Sequence, residues 1–297
     1  MTRFLDVRMH PVGGELAAQV SLFQGTDIGN YTGMALGDLL AQINGRHVFL
    51  VAHGFNVNRA DGIACLANWE TLLQPQEPAV FLGLLWPGDS VWAHGLDYPS
   101  EPRVANNAGR LVAQFIDTNF GGAASISLAS HSLGARVVLE TAQQMKHGLR
   151  RVILMAPAID DNCLATEFST AAAHAEAISV LASKKDTVLS GLFPLGNFFA
   201  GILTVGHPWW HAALGHTGPA GSVPANFVPP YQIPDNWNFN HGDYLLISQP
   251  AAPALPLPTQ VPPNGSPVFA PDTGASGQPI GGWQSSFTAA FASTRLR

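Results

Sequence analysis

Charged residues are scarce in this sequence. They make up 11% of its 297 positions, whereas globular proteins usually carry about a quarter. Hydrophobic residues make up 46%, which argues against a disordered chain and predicts a sizeable core with much apolar surface. Such a surface suits a hydrophobic substrate or a partner interface. The net charge is −6 and the basic residues form no run longer than a doublet, so the chain has no electrostatic footprint for nucleic acid.

Cysteine is equally scarce, with Cys65 and Cys163 alone. Two cysteines make no disulfide framework, and neither has metal-ligand spacing around it. We expect two unpaired buried thiols, with one disulfide between them as the alternative. Nothing in the sequence calls for a metal or a cofactor.

A membrane-spanning run is also missing. No stretch approaches the ~20 apolar residues that cross a bilayer, because Pro194 and three glycines interrupt the longest apolar region, 188–205. The first six residues lack the apolar core of a signal peptide. We therefore expect a cytoplasmic protein without an integral membrane segment, and leave open whether a leader has been lost.

Five short apolar runs are typical of strands that are buried on both faces. They are Arg46–Ala52, Val80–Trp86, Ser125–Ala129, Val152–Ala156 and Ala177–Ala182. Between them, apolar residues recur at three- and four-residue steps over 63–73, 104–116 and 133–145, which predicts helices with one apolar face. The alternation predicts an α/β fold with a mostly parallel sheet and helices on both faces. Ligands bind such a sheet at the carboxyl ends of its strands.

The most informative motif is Ser130–Gly134, where a predicted strand turns sharply into a helix. It is a variant of the nucleophile elbow Gly-x-Ser-x-Gly, with Ser130 at the first glycine position. Ser132 is the candidate nucleophile, placed at a helix N-terminus where free amides favour negative charge. The alternative is that Ser132 only caps the helix, as serine often does.

A second motif, His53–Asn56, follows the strand 46–52. Enzymes with a nucleophile elbow place an oxyanion-binding amide there, so the amides of Phe55 and Leu133 are the candidate oxyanion donors. His53 is interpreted as structural, because the base of this fold comes last in the chain. Asp89, after the next strand, is interpreted as a turn residue, with substrate contact as the alternative.

The candidate base is His241, and His216 is the alternative. A serine hydroxyl needs such a base because it is a weak nucleophile at neutral pH. The candidate acid is Asp186, after the strand 177–182, and Asp160 or Asp161 is the alternative. Along the chain, these residues come in the order Ser132, Asp186 and His241, which is the Ser…Asp/Glu…His order of enzymes with a nucleophile elbow.

The stretch between the acid and the base exceeds what a simple connection needs. We predict a cap over the active site within 188–236, and the alternative is a pair of ordinary packed helices. Its apolar rings would line the substrate pocket. The candidate substrate-binding residues are Phe198, Phe199, Trp209 and Trp210.

Three regions are predicted along the chain. Residues 1–248 form the catalytic domain. Residues 249–282 contain so many prolines that neither a helix nor a central strand is expected, and this segment is predicted to be extended. Residues 283–297 carry aromatic rings at four-residue spacing, which predicts a short docking helix or a homodimer contact.

Together these motifs resemble the α/β-hydrolase superfamily, and in particular a bacterial group of largely uncharacterised serine hydrolases. The matching stretches are His53–Asn56, Leu85–Gly88, Ala129–Gly134, Lys185–Asp186 and His241–Tyr244. The resemblance covers about residues 46–248 and implies Ser132 as nucleophile, Asp186 as acid, His241 as base, and Phe55 and Leu133 as oxyanion donors. Ser130 departs from the elbow pattern, and the proline-rich tail has no counterpart in the group.

The function expected from these residues is hydrolysis of carboxylic esters of hydrophobic substrates, small or polymeric, through an acyl-enzyme on Ser132. The fold hosts many chemistries, so the alternatives stay open. They are an acyltransferase or thioesterase on the same triad, and a non-catalytic protein that binds a ligand or partner.

Overall fold

The strands that the structure describes form one continuous sheet. The structure is a computed structural model that describes residues 1–73, 79–89, 101–191, 211–227, 232–233, 235 and 239–244. The strands are β1 (Thr2–Arg8), β2 (Leu16–Gly25), β3 (Thr32–Gly33), β4 (His47–Ala52), β5 (Ala79–Leu85), β6 (Ser125–His131), β7 (Leu149–Met155) and β8 (Ala175–Leu181).

The strand order is β3-β2-β1-β5-β4-β6-β7-β8. All neighbours from β1 to β8 pair in parallel, whereas β2 pairs antiparallel with both β1 and β3. The mostly parallel sheet predicted from the sequence is therefore confirmed, and the antiparallel edge is an addition to it.

Six α-helices are described with both ends. They are α1 (Leu36–Ile43), α2 (Arg59–Leu73), α3 (Glu101–Asn119), α4 (Gly134–Gln144), α5 (Ser169–His174) and the single turn α6 (Leu214–Thr217). Helices α3, α4 and α5 pack in series, and α1 and α2 contact β5. Every residue of β4 and β5 is buried. Because successive side chains of a strand point to opposite faces, both faces of the central sheet are covered.

The N-terminal edge of the sheet depends on two buried ion pairs. Asp6 forms an ion pair with Arg59 at 2.8 Å and accepts a hydrogen bond from the hydroxyl of Tyr31 at 2.9 Å. Burial, with the Asp6 carboxylate beside it, raises the pKa of Tyr31. Arg8 is paired with Asp89 and donates at 2.8 Å to the carbonyl of Trp86. Asp89, interpreted from the sequence as a turn residue, is thus a buried ion-pair partner that joins β1 to the chain that follows β5.

Cys65 and Cys163 are free and buried, as predicted. Burial raises the pKa of both thiols, for Cys65 to about 12, so they remain protonated at neutral pH. Among the helices within the described ranges, none is long and apolar enough to cross a membrane.

Part of the predicted cap range packs against the sheet. The amide of Ile178 in β8 donates to the carbonyl of Asn226 at 3.0 Å, and the amide of Ile233 donates to Ala182 at 2.8 Å. Residues 192–210, with all four predicted pocket rings, lie outside the described residues, as do the regions 249–282 and 283–297. The cap, the extended segment and the docking helix therefore stay predictions.

Candidate active site

Ser132 lies in the turn between β6 and α4. Its φ is +53°, a left-handed conformation that is unusual for a residue with a side chain and is often found at functional sites. Backbone hydrogen bonds hold this conformation: the Ser132 amide donates to Met155 at 3.0 Å, and its carbonyl accepts from Ala158 at 3.2 Å. The carboxyl end of β7 therefore fixes the turn that presents the hydroxyl.

Two glycines allow the His53–Asn56 loop to approach this turn. A Cβ on Gly134 would lie 2.3 Å from the carbonyl oxygen of His53, and a Cβ on Gly54 would lie 3.0 Å from the Cβ of Ser132. At Gly134 a side chain would require movement of the backbone, and at Gly54 it would require small shifts of the Ser132 and His131 side chains. Asn56 also has a positive φ, and its backbone N–H donates to the backbone carbonyl of Gly88 at 2.7 Å.

These contacts place both candidate oxyanion residues beside Ser132. Phe55 directly follows Gly54, and Leu133 is the N-cap residue of α4. A helix N-terminus favours negative charge through its unpaired amides and its dipole. The arrangement is therefore suited to an oxyanion that develops on a group bonded to Ser132.

His241 lies in a 3-10 turn, His241–Tyr244. Its Nε2 is 2.9 Å from Oγ of Ser132, and its Nδ1 is 2.7 Å from Oδ2 of Asp186. Because a carboxylate only accepts, Nδ1 carries the proton and Nε2 is free to accept from the serine hydroxyl. The imidazole is thus in the tautomer that a general base requires.

Asp186 follows β8 and is fully buried. Its second oxygen, Oδ1, accepts from the amide of Leu189 at 2.9 Å. Of the two alternative acids, Asp160 and Asp161, the latter binds Nδ1 of His211 at 2.9 Å instead. The alternative base, His216, belongs to α6, so the structure brings together Ser132, Asp186 and His241 rather than either alternative.

The sequence of the central part of the chain matches the model of a known family. The model of the family described as "Alpha/beta hydrolase of unknown function (DUF900)" matches residues 32–192. The match spans 161 positions (192 − 32 + 1), more than half of the 297. The chain belongs to this α/β-hydrolase family. The matched region contains Ser132 and Asp186, and His241 lies beyond its end.

Several of the solved structures that are similar to this one are hydrolases. The esterase PE8 is 17% identical, with a TM-score of 0.35 over 52% of this chain and 80% of its own. A protein assigned to the alpha/beta hydrolase superfamily from Xanthomonas campestris pv. campestris is 17% identical, with a TM-score of 0.32 over 53% and 98%. The phospholipase PlaB from Legionella pneumophila is 18% identical, with a TM-score of 0.26 over 41% and 27%. No curated protein sequence matches the chain.

The ring of His53 in this α/β-hydrolase bonds to the backbone of its own loop and of Trp86, which supports its interpretation as a structural residue. Its Nδ1 donates to the carbonyl of Gly54 at 2.9 Å, and its Nε2 accepts from the amide of Trp86 at 3.3 Å. Burial lowers its pKa to about 3, so the ring stays neutral. The Trp86 indole returns a hydrogen bond to the His53 carbonyl at 2.8 Å.

Sequence reasoning missed three residues that support His241 in the α/β-hydrolase. They are His131, Thr187 and Asn240, each of which bonds to the backbone of His241 or to a residue that does. All three directly precede or follow a candidate triad residue along the chain, and that adjacency is the signal that could have found them. Within the part of the chain that the structure describes, no group of three or more His, Cys, Asp or Glu side chains is placed to hold a metal.

Proposed function

We propose that this α/β-hydrolase cleaves carboxylic esters of hydrophobic substrates through an acyl-enzyme on Ser132. The observation that carries the proposal is the position of the His241 ring, 2.9 Å from the Ser132 hydroxyl and 2.7 Å from the Asp186 carboxylate. A buried acid, an oriented imidazole and a serine in a strained turn are the parts that activate a serine nucleophile.

In the first half of the reaction, Oγ of Ser132 attacks the carbonyl carbon of the ester. Nε2 of His241 takes the hydroxyl proton as the new C–O bond forms, and Asp186 stabilises the resulting imidazolium. The tetrahedral intermediate then collapses, the bond to the alcohol oxygen breaks, and His241 returns the proton to the departing alcohol. The products of this half are the free alcohol and the acyl-enzyme.

The second half repeats these steps with water. His241 takes a proton from the water molecule that attacks the acyl carbon, and it returns that proton to Oγ of Ser132 as the acid leaves. In both halves the intermediate carries an oxyanion, which we assign to the amides of Phe55 and Leu133. A preorganised donor of this kind is worth roughly 10²–10³ in rate.

The hydrophobic substrate class is supported by the surroundings of Ser132. Leu133, Met155 and Ile159, which lie beside the turn or on the segment bonded to it, are buried and apolar. The low charge content of the chain points the same way. The motif resemblance to the bacterial serine hydrolases supports the assignment of roles to Ser132, Asp186 and His241.

The test is covalent labelling with a fluorophosphonate probe, followed by intact-protein mass spectrometry. We expect one adduct on the wild-type protein and none on Ser132→Ala. Ser130→Ala is the matched control, because it removes a serine hydroxyl two residues earlier, near the end of β6, and we expect it to keep the adduct. Turnover of p-nitrophenyl acetate, butyrate and octanoate should then increase with chain length.

Each arm of this experiment has a distinct meaning. Labelling of a folded Ser132→Ala protein would show that another residue reacts, and the role of Ser132 would be lost. No labelling of the folded wild type would favour a non-catalytic binding protein. A single adduct without turnover of any ester would instead favour transfer of the acyl group to another acceptor.

A further inference from the structure

His131 lies where three parts of the candidate active site meet. It is the last residue of β6 and is 5% exposed. Its ring centroid is 4.7 Å from that of His241 and 5.9 Å from that of Tyr244. On its other side, a Cβ placed on Gly54 would come within 3.1 Å of its Nδ1. The ring therefore lies between the His53–Asn56 loop and the His241–Tyr244 turn, which carries the base.

The hydrogen bond from His131 to this turn has a defined direction. Nε2 of His131 is 2.9 Å from the backbone carbonyl of His241, and a carbonyl oxygen only accepts. Nε2 must therefore carry the proton, which leaves Nδ1 as a bare acceptor without a hydrogen-bond partner among the described residues. Burial and the neighbouring His241 lower the pKa of His131 to about 3, in agreement with a neutral ring.

The backbone of His241 is consequently held at both ends of the residue. Its amide donates to Oδ1 of Asn240 at 2.8 Å, and its carbonyl accepts from His131. The Asn240 contact is local, whereas the His131 contact spans 110 positions of the chain. It connects the base directly to the residue before Ser132, independently of Asp186.

We propose that His131 is a positioning residue, whose Nε2–H holds the His241 turn so that the base stays aligned with Oγ of Ser132. This inference rests on the proposed function, since it needs Ser132 and His241 to act as nucleophile and base. A shift of about 1 Å in a catalytic group can lower the rate roughly a hundredfold. Loss of the donor should therefore reduce the reactivity of Ser132 without removing any of the reacting groups.

The experiment compares substitutions that differ in the placement of one N–H donor. His131→Gln can place an amide N–H close to the position of Nε2, His131→Met has a similar length and no donor, and His131→Asn places its amide near Nδ1, out of reach of the carbonyl. The matched control is His47→Met, which changes another buried histidine at the opposite, amino end of the parallel strands. The measurements are the second-order rate of fluorophosphonate labelling, kcat and KM for p-nitrophenyl butyrate, and Tm.

We expect His131→Met and His131→Asn to lower the labelling rate and kcat roughly tenfold to a hundredfold, with KM changed little. His131→Gln should recover most of that loss, and His47→Met should label at the wild-type rate. Equal labelling of all folded variants, or a His131→Gln variant no faster than His131→Met and His131→Asn, would overturn the positioning role.

If one donor-free variant does not fold, the other is compared with His131→Gln. If neither folds, a labelling rate of His131→Gln within about threefold of wild type supports the role of the N–H, and a larger loss overturns it. Failure of the wild type to label at all would instead defeat the proposed function.

Discussion

Oδ1 of Asn240 accepts two hydrogen bonds from Thr187, one from its amide at 3.0 Å and one from its hydroxyl at 3.1 Å. Thr187 directly follows the candidate acid, and Asn240 directly precedes the candidate base. The same oxygen accepts from the amide of His241 at 2.8 Å. One side-chain oxygen thus joins the two loops that must hold Asp186 and His241 in register.

Asn240→Ala removes this junction, and we expect it to lower kcat/KM roughly tenfold, which corresponds to about 1.4 kcal/mol of transition-state stabilisation. The reacting groups are retained, so the loss reflects misalignment of His241. Thr187→Val, which removes only one of the three donors, should have a smaller effect. The control is Asn119→Ala, at the C-terminus of α3 and far from the carboxyl ends of the strands. A folded Asn240→Ala enzyme with wild-type kcat/KM would show that the junction does not matter.

Asp186 and Asp161, one of its two alternatives as the acid, can be separated by matched amide substitutions. Asp186→Asn keeps the shape of the Asp186 side chain but removes its charge. It also replaces one accepting oxygen with an NH₂ group, which donates. An analogous change in a serine protease lowers kcat about 10⁴-fold because the histidine is held in the wrong tautomer, and we expect a loss of roughly 10³–10⁴ here. Asp161→Asn, which disturbs only the pair with His211, should retain activity within about an order of magnitude. The reverse ranking of the two variants would reassign the acid.

The central sheet was predictable because its strands are continuous apolar runs. All five predicted strands exist, with ends that differ from the prediction by at most three residues. The candidate site was predictable for a related reason. In a parallel sheet the carboxyl ends of neighbouring strands share one edge, so Ser132, Asp186 and the His53–Asn56 loop converge wherever the strands are correctly identified.

The N-terminal edge was not predictable in this way. Strand β1 contains Arg3, Asp6 and Arg8, which interrupt its apolar pattern, yet Asp6 and Arg8 are buried. Burial of these charges is compensated by Arg59 and Asp89, because an unpaired charge in a core is very unfavourable. Such partners lie more than fifty residues apart along the chain, and no local pattern connects them.

Acid should destabilise the protein through its buried histidines. Burial lowers the pKa of His53 and His131 to about 3 and also lowers that of His47. In the unfolded chain, each imidazole takes up a proton as the pH falls through about 6.5, whereas the folded protein keeps these rings neutral. The stability is thus fully present above pH 6.5 and is lost progressively between pH 6.5 and about 3.

Urea unfolding at a series of pH values between 7.5 and 4.5 measures this loss. We expect the free energy of unfolding to decrease toward acid with a slope that corresponds to roughly two protons taken up on unfolding by His53 and His131. His131→Gln should reduce the uptake by about one proton, because the titrating group is gone. A free energy of unfolding that does not change from pH 7 to pH 5 would contradict the assignment of neutral buried rings.

The close packing of the turn predicts that Gly134 cannot be replaced. A Cβ at this position would lie 2.3 Å from the carbonyl oxygen of His53 and 3.1 Å from that of Ala52. Both atoms belong to the backbone at the end of β4, so they can move only if the strand and the oxyanion loop move with them. We expect Gly134→Ala to destabilise the protein by about 3 kcal/mol and, at temperatures where it remains folded, to lower the rate of fluorophosphonate labelling because the His53–Asn56 loop is displaced from Ser132.

Gly37→Ala is the matched control: Gly37 is exposed in α1 with nothing within 4 Å of the added Cβ, and alanine there should raise stability by about 0.5–1 kcal/mol. Thermal unfolding of both variants decides the matter, since equal Tm values would mean that the loop yields to a methyl group and that its contact with the turn does not fix the oxyanion donors.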